Sequence, residues 1–488
     1  MQASIRTNLI YNFFLSASQL LLPLVSIPYV SRVLDPAGIG KVSFIDSLTY
    51  YFVSMAEFGI VVYGVREVAR VRGNPPALSS LISELISLHL ITSTVSLCIY
   101  AAVVYFVWDK IGDPRLLAFS VAFLLVNGFA CEWYFYGTEQ FRYIAIRSIA
   151  TRLAGLAGIF LLIKQPSDYY IYYGLIVFAG IGNMLLNIAS VFSHFKLKLK
   201  TTGLKKHIKR TWVTYFISLA YSISLMLDNV FLGLVSTSAI VGIYAFAMKL
   251  VRLSAVGLTD TLLVFFPQAV SLLHAGQQER FQETVLKNVR LLILFSIPIG
   301  AGLYFLSDEI TRAFFGPAFQ SISHDLKILS VIPFLKCYNL FLSKQILIAY
   351  DKEKLYLKSL LICGLLFIAA TLLLSSVWDD RGACYAMVLY ESVLIILNYA
   401  YVKQTARSLL VFDWKTFGHA IIGTILFVPL IFVLKPYSWP TGLLLAIIIV
   451  SSAVIYCLFQ VFVTRNELMV SLLRSTLSQG VRPITRKE

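Results

Sequence analysis

Lys249 and Arg252 stand one helical turn apart inside the apolar segment AFAMKLVRLSAVG. Residues spaced i, i+3 share a helix face, so together they form a cationic stripe. Away from water such a stripe needs an anion, and phosphate suits both the guanidinium fork and the ammonium point charge. The competing explanation is internal: Asp228 in the preceding apolar segment, or Asp260 further along the same face, could neutralise the pair. Lys336, with Asn339 about one turn further on, is a similar isolated cation. Lys344 lies nearer a segment end, where its long side chain can reach the interface.

Four more ionisable residues interrupt apolar stretches. Arg152 and Glu132 fall at similar depth in successive segments and could pair. Glu57, in SMAEFG, has no obvious partner nearby in sequence, and a desolvated carboxyl of this kind can take up and release a proton, which suits ion coupling. Asp228 is the second candidate for that role, and Glu391 is a peripheral one. Pro23 and Pro28, in the segment that also holds Asn12 and Gln19, supply a kink or hinge. Six cysteines lie in apolar surroundings with no paired or zinc-type spacing, so neither a metal nor a cofactor is expected.

The elements that hold these residues are membrane helices. The chain has 488 residues, 58% hydrophobic and 14% charged, with a mean hydropathy of +0.79. Stretches of about 20 apolar residues, bounded by charges, Pro or Gly, recur about fourteen times. They cover approximately residues 8–33, 42–65, 81–107, 116–136, 143–163, 169–195, 211–235, 240–270, 291–306, 326–349, 355–377, 382–402, 417–434 and 441–463. The first stretch lacks a following cleavage site, and a retained helix is expected.

The net charge of +16 raises nucleic acid and membrane topology as explanations. Its distribution decides between them. With the N-terminus inside, cytoplasmic segments carry roughly 27 Lys and Arg and the opposite face roughly 9, the bias that cytoplasmic loops should show. The run from Lys196 to Arg210 then joins two spans near anionic headgroups, and no nucleic-acid partner is expected. Both termini are placed in the cytoplasm.

That basic linker separates two lobes of six spans, at residues 1–200 and 201–408. A terminal helix pair with a cytoplasmic tail, residues 409–488, follows. The two lobes share an echo: VLDPAGIGKVSFIDSL at Val33–Leu48 aligns with VSTSAIVGIYAFAMKL at Val235–Leu250, matching Gly40 to Gly242 and Phe44 to Phe246. Copies separated by an even number of spans enter the membrane in the same direction. They should be related by an axis along the membrane normal, with substrate bound between the lobes near the midplane. Outer loops are short, and no nucleotide-binding loop, HEXXH motif or nucleophile elbow occurs, so no enzyme is indicated.

The segment NLIYNFFLSASQLLLPLVSIPYVSRVLDPAGIGKVSF, continued by EFGIVVYGVREVA, resembles the Wzx-type O-antigen flippases of the polysaccharide transporter family, in the superfamily that also holds MATE exporters and lipid II flippases. WYFYGTEQFRYIAIRS and DNVFLGLVSTSAIVGIYAFAMKLVR extend the resemblance. It implies movement of an undecaprenyl-diphosphate-linked oligosaccharide between leaflets of the inner membrane by ion-coupled alternating access. Spans one, two, seven and eight would line the cavity, bringing in Gln19, Asp46 and Tyr50, and the headgroup-binding residues would be Lys249, Arg252, Lys336, Arg152, Gln19 and Tyr50. Glu57 and Asp228 would carry the coupling ion. A monomer is expected, with membrane lipid around it and polysaccharide polymerase machinery as a candidate partner. A MATE-type multidrug or cation antiporter, a lipid II flippase and, from another class, a membrane polysaccharide polymerase are the alternatives.

Overall fold

The computed structural model describes residues 5–195, 198–200, 203–435 and 439–470. Lys196 and the basic residues from Arg474 onward, which contribute to the charge bias, lie outside the described residues. The described chain is helical, without a strand among the described residues. Its helices are α1 (Ile5–Val33), α2 (Pro36–Glu57), α3 (Ile60–Val71), α4 (Pro75–Phe106), α5 (Trp108–Ile111), α6 (Pro114–Asn127), α7 (Glu132–Gly137), α8 (Phe141–Leu162), α9 (Tyr169–His194) and α10 (Leu204–Met226). They continue with α11 (Asp228–Val235), α12 (Ser238–His274), α13 (Gln278–Phe305), α14 (Ser307–Phe314), α15 (Ile322–Leu329), α16 (Ile332–Leu340), α17 (Glu353–Thr405), α18 (Trp414–Leu434) and α19 (Thr441–Leu458).

Local chemistry sets many of the helix starts. Asp35, Asn74, Asp113 and Asp413 accept hydrogen bonds from backbone N–H groups of the first turns of α2, α4, α6 and α18. These bonds satisfy donors that a helix start leaves open. Pro36, Pro75 and Pro114 each occupy a first-turn position, where a missing N–H costs nothing.

Among the described residues ten helices are long and apolar enough to cross a membrane, and twelve if two bent pairs count as one span each. The bent pairs are α10 with α11, at 48°, and α15 with α16 and its π-helical continuation Phe341–Ile348, at 41°. α17 conceals a further span. Asp379 has φ 50° within it, and Gly382 packs against the backbone of Leu374 and Ser375. In a straight helix those positions would be about 12 Å apart, so the chain reverses at Asp379 into two antiparallel arms. With the shorter apolar α6, fourteen spans are compatible with this architecture. Its lipid-facing surface is strongly apolar: Phe106, Leu161, Leu365 and Phe462 are each about 70% or more exposed, which water would not tolerate over so wide an area.

The helices gather into two compact units. One comprises residues 1–246, 314–319 and 357–390, and the other 247–313, 320–356 and 391–488. In the first, α2 packs on α4, α6, α9, α10 and α11, while α1 packs on α8. In the second, α13 is central, in contact with α15, α16 and α18, and α18 packs on α19.

Breaks in the spans locate much of the chemistry. Glu57 is the last residue of α2, and the next two, Phe58 and Gly59, are left-handed before α3 begins. Glu132 opens α7 after the irregular stretch 128–131. Asp228 opens α11 at the 48° bend. Both acids therefore sit where the exposed N–H groups of a helix start favour negative charge. Interrupted helices in membrane proteins are tolerated chiefly where they line a site.

Candidate functional site

In the first unit, Arg152 is half-buried on α8, donating to the Ser18 hydroxyl at 2.7 Å and to the Leu15 carbonyl at 3.3 Å on α1. Gln19, one residue beyond Ser18, lines the same cavity of about 270 Å³. Ser26 completes the polar edge, and Leu156, Ile159 and Leu175 form an apolar wall. Arg152 and Gln19 are thus brought together in a groove with amphiphilic walls.

Glu132 does not take Arg152 as its ion-pair partner. It pairs with Arg147 at 2.9 Å, and Arg147 also donates to the Asn187 side chain on α9. Arg147 is nearly two turns into α8 and 3% exposed in its side chain, against 48% for Glu132. Nothing in the spacing of RYIAIRS distinguishes a loop arginine from one drawn into the bundle by an asparagine on another helix.

Tyr50 and Asp46 lie on α2, at about one turn's separation. Asp46 and Glu57 are both within electrostatic reach of the Tyr50 hydroxyl, and Glu132 is within reach of Glu57. These groups form an acidic run along α2 to the break that begins α7. Asp228 is 1% exposed and accepts from Tyr244 at 3.2 Å and from the backbone N–H of Asn229 at 2.9 Å. Asn229 in turn donates to Ser47 at 2.8 Å, tying α11 to α2.

In the second unit, Lys249 and Arg252 are half-buried on α12, and Lys336 is half-buried on α16. Glu391, peripheral in the sequence reading, proves central. It is 7% exposed and within electrostatic reach of both Lys336 and Arg252. Asn339 holds it with hydrogen bonds of 2.5 Å to its carboxylate and 2.9 Å to its backbone carbonyl. Two cations, an amide and a carboxylate therefore converge from α12, α16 and α17. Lys344 is half-buried in the π-helical turn Phe341–Ile348.

The second unit also contains an apolar cavity of about 340 Å³ between α12, α13, α18 and α19, with Phe295, Leu303, Phe427, Ile449 and Tyr456 in its walls. Among the described residues no cluster of three or more His, Cys, Asp or Glu side chains could hold a metal ion.

This arrangement defines a multispanning helical membrane protein whose fold is that of the flippases and multidrug exporters. The structure of "Lipid II flippase MurJ, inward closed conformation" superposes with a TM-score of 0.71 at 16% identity, covering 95% of this chain and 99% of that one. A MATE transporter in the bent conformation gives a TM-score of 0.51 at 14% identity, over 82% and 94% of the two chains. The sequence profile of the family described as "Polysaccharide biosynthesis protein" matches residues 5–273, over half of the chain, and the protein belongs to that family. Two curated relatives are each named "Putative O-antigen transporter". The one from Escherichia coli (strain K12) is 21% identical over 82% of this chain and 97% of its own. The Shigella dysenteriae protein is 23% identical over 80% and 98%.

Proposed function

We propose that this protein is a flippase that carries an undecaprenyl-diphosphate-linked oligosaccharide from the cytoplasmic to the outer leaflet of the inner membrane. The carrying observation is the cationic group on α12 and α16, Lys249, Arg252 and Lys336, in spans that are otherwise mostly apolar. A diphosphate entering a region of low dielectric needs such partners, since an unpaired charge there costs several kcal/mol. Family membership, the relatives' names and the MurJ-like fold support the same reading.

Arg152, Gln19 and Tyr50 are proposed to engage the saccharide and phosphate from the first six spans. The apolar cavity beside α18 and α19 suits part of an isoprenoid chain. Alternating access of two six-helix lobes, 1–200 and 201–408, moves the headgroup, with Glu57 and Asp228 binding the coupling cation. The protein acts as a monomeric carrier with both termini in the cytoplasm and catalyses no covalent step.

The test is surface polysaccharide in a strain lacking the native protein. Arg252→Ala and Lys249→Ala should each abolish it while membrane insertion remains normal. Unimpaired polysaccharide in the double variant would refute the site. A multidrug exporter would instead move organic cations, which this stripe repels, so robust efflux of a cationic dye would overturn the flippase reading. Rescue of a strain depleted of its lipid II flippase would redirect the substrate to lipid II.

A further inference from the structure

The first unit holds another cavity with cationic walls. It occupies about 300 Å³ and is lined by Lys41 at the start of α2, Asp109 and Lys110 on α5, and Ser236, Thr237 and Ser238 where α11 passes into α12. Three connections distant in sequence meet there. On the topology proposed above, on which this inference rests, all three are on the outer face. That face carries few basic residues under the positive-inside bias, yet two of them converge on one cavity. Neither lysine makes an ion pair with a carboxylate among the described residues; the Lys41 ammonium lies instead 5.5 Å over the Tyr169 ring.

We propose that this cavity, whose lining does not include the half-buried cations of α12 and α16, is a release-side binding site for a phosphorylated saccharide. The two ammonium groups take phosphate oxygens as point charges with three donors each. A bare phosphate would gain nothing from Asp109, whose carboxylate only accepts; sugar hydroxyls donate to it. The hydroxyls of Thr237 and Ser238 offer further sugar contacts. The volume lies at the lower end of the ~300–1,000 Å³ of small-molecule sites, suited to a headgroup's first sugar and phosphate. Gly40 and Ser238, which line the cavity, also touch one another where α2 crosses α12. A ligand seated here therefore bears on that crossing.

The test is calorimetric titration of the full-length protein in neutral detergent with glucose 1-phosphate and, separately, inorganic pyrophosphate. Wild-type protein should bind glucose 1-phosphate more tightly than pyrophosphate. K41Q/K110Q should lose at least tenfold in affinity for both, K41R/K110R should restore it, and Asp109→Asn should weaken only the sugar phosphate. K249Q/R252Q should bind as wild type does. Unchanged affinity in K41Q/K110Q, no binding by wild type, or loss confined to K249Q/R252Q would overturn the site, the last leaving the flippase reading intact. Equal binding of the two probes, indifferent to Asp109→Asn, would overturn the saccharide class.

The face and the source of the ligand are read on Lys110→Cys in intact cells. A membrane-impermeant maleimide should label it from outside, and externally added glucose 1-phosphate should slow labelling. Slower labelling in cells making the lipid-linked saccharide than in cells that do not would identify the carried headgroup as the occupant. Equal rates would mean that the site serves soluble sugar phosphate instead, overturning its role in release. Labelling only after permeabilisation would refute the orientation, while the titration still judges the cavity.

Discussion

Gly40 and Gly242 pack back to back, each against the carbonyl oxygen that begins the other's helical turn: Ser238 faces Gly40, and Pro36 faces Gly242. The same sequence offset separates Pro36 from Ser238 and Gly40 from Gly242, so the contact is its own pseudo-two-fold partner. The short sequence echo aligns these very residues. Close backbone approach explains why glycine recurs there, since a side chain on either residue would overlap main chain that cannot swing away.

Alanine at either position should therefore wedge α2 from α12. Overpacking of this kind costs ~1–3 kcal/mol. Gly40→Ala and Gly242→Ala should each lower the melting temperature by several degrees and reduce surface polysaccharide at least tenfold. Wild-type values for both quantities in either variant would contradict the close crossing.

Arg252 and Glu391 allow stability to be separated from transport. Truncating Arg252 removes one of the two cations within electrostatic reach of the buried Glu391, and leaving a buried charge wholly uncompensated costs ~3–5 kcal/mol. Lys336 and Asn339 remain beside it, so about half of that is expected. Arg252→Ala should then melt early, and R252A/E391Q should recover most of the stability by removing the stranded charge. Polysaccharide should stay absent in both if Arg252 meets the diphosphate. Recovery of polysaccharide together with stability would make Arg252 a purely structural partner of Glu391.

These cases mark how far the sequence can be read. Span positions were legible because a helix crossing lipid needs uninterrupted apolar length, and the alternation of basic loops checks that length independently. The Gly40–Gly242 crossing was half visible, as a weak repeat whose physical cause needed the structure. The 48° bend was not visible: Leu227, just before it, is an ordinary helix former with neither Gly nor Pro beside it. Partnerships across distant helices were the least legible. Glu391 and Asn339 meet only because α16 lies against the second arm of α17, and Arg147 is buried where Asn187 and Glu132, both distant from it in sequence, receive it.

Arg147 and Glu132 should respond unequally to removal. The arginine is enclosed and the glutamate half-exposed, so Glu132→Gln leaves Arg147 its asparagine contact and should cost about 1 kcal/mol, the range of a partly solvated pair. Arg147→Ala empties a buried site and strips Asn187 of its donor, costing ~2–3 kcal/mol. Thermal unfolding of the two variants in the same detergent checks the order. A larger loss from Glu132→Gln would mean that the carboxylate, not the arginine, anchors this junction.

Asp113 carries the clearest pH signature outside the spans. Its carboxylate accepts from the Arg115 side chain at 2.8 Å, from the Tyr169 hydroxyl at 2.7 Å and from the Arg115 backbone N–H at 2.9 Å, capping α6. The Arg115 guanidinium first, with the other donors, holds this carboxyl well below the ordinary range. A carboxyl depressed on folding stabilises the fold fully above its unfolded value of about 3.9, and that contribution is lost as pH falls through the folded value. Asp113→Asn, which weakens the charge-assisted contacts while keeping a capping oxygen, should thus lower the melting temperature equally at pH 7 and pH 5. The gap should narrow below about pH 4, where the unfolded wild-type chain begins to take up the proton. Asp113→Ala should add the loss of the cap, about 1 kcal/mol, as a difference that persists into acid. A gap for Asp113→Asn that widened on acidification would show that the carboxylate is not held ionised by Arg115 in the folded protein.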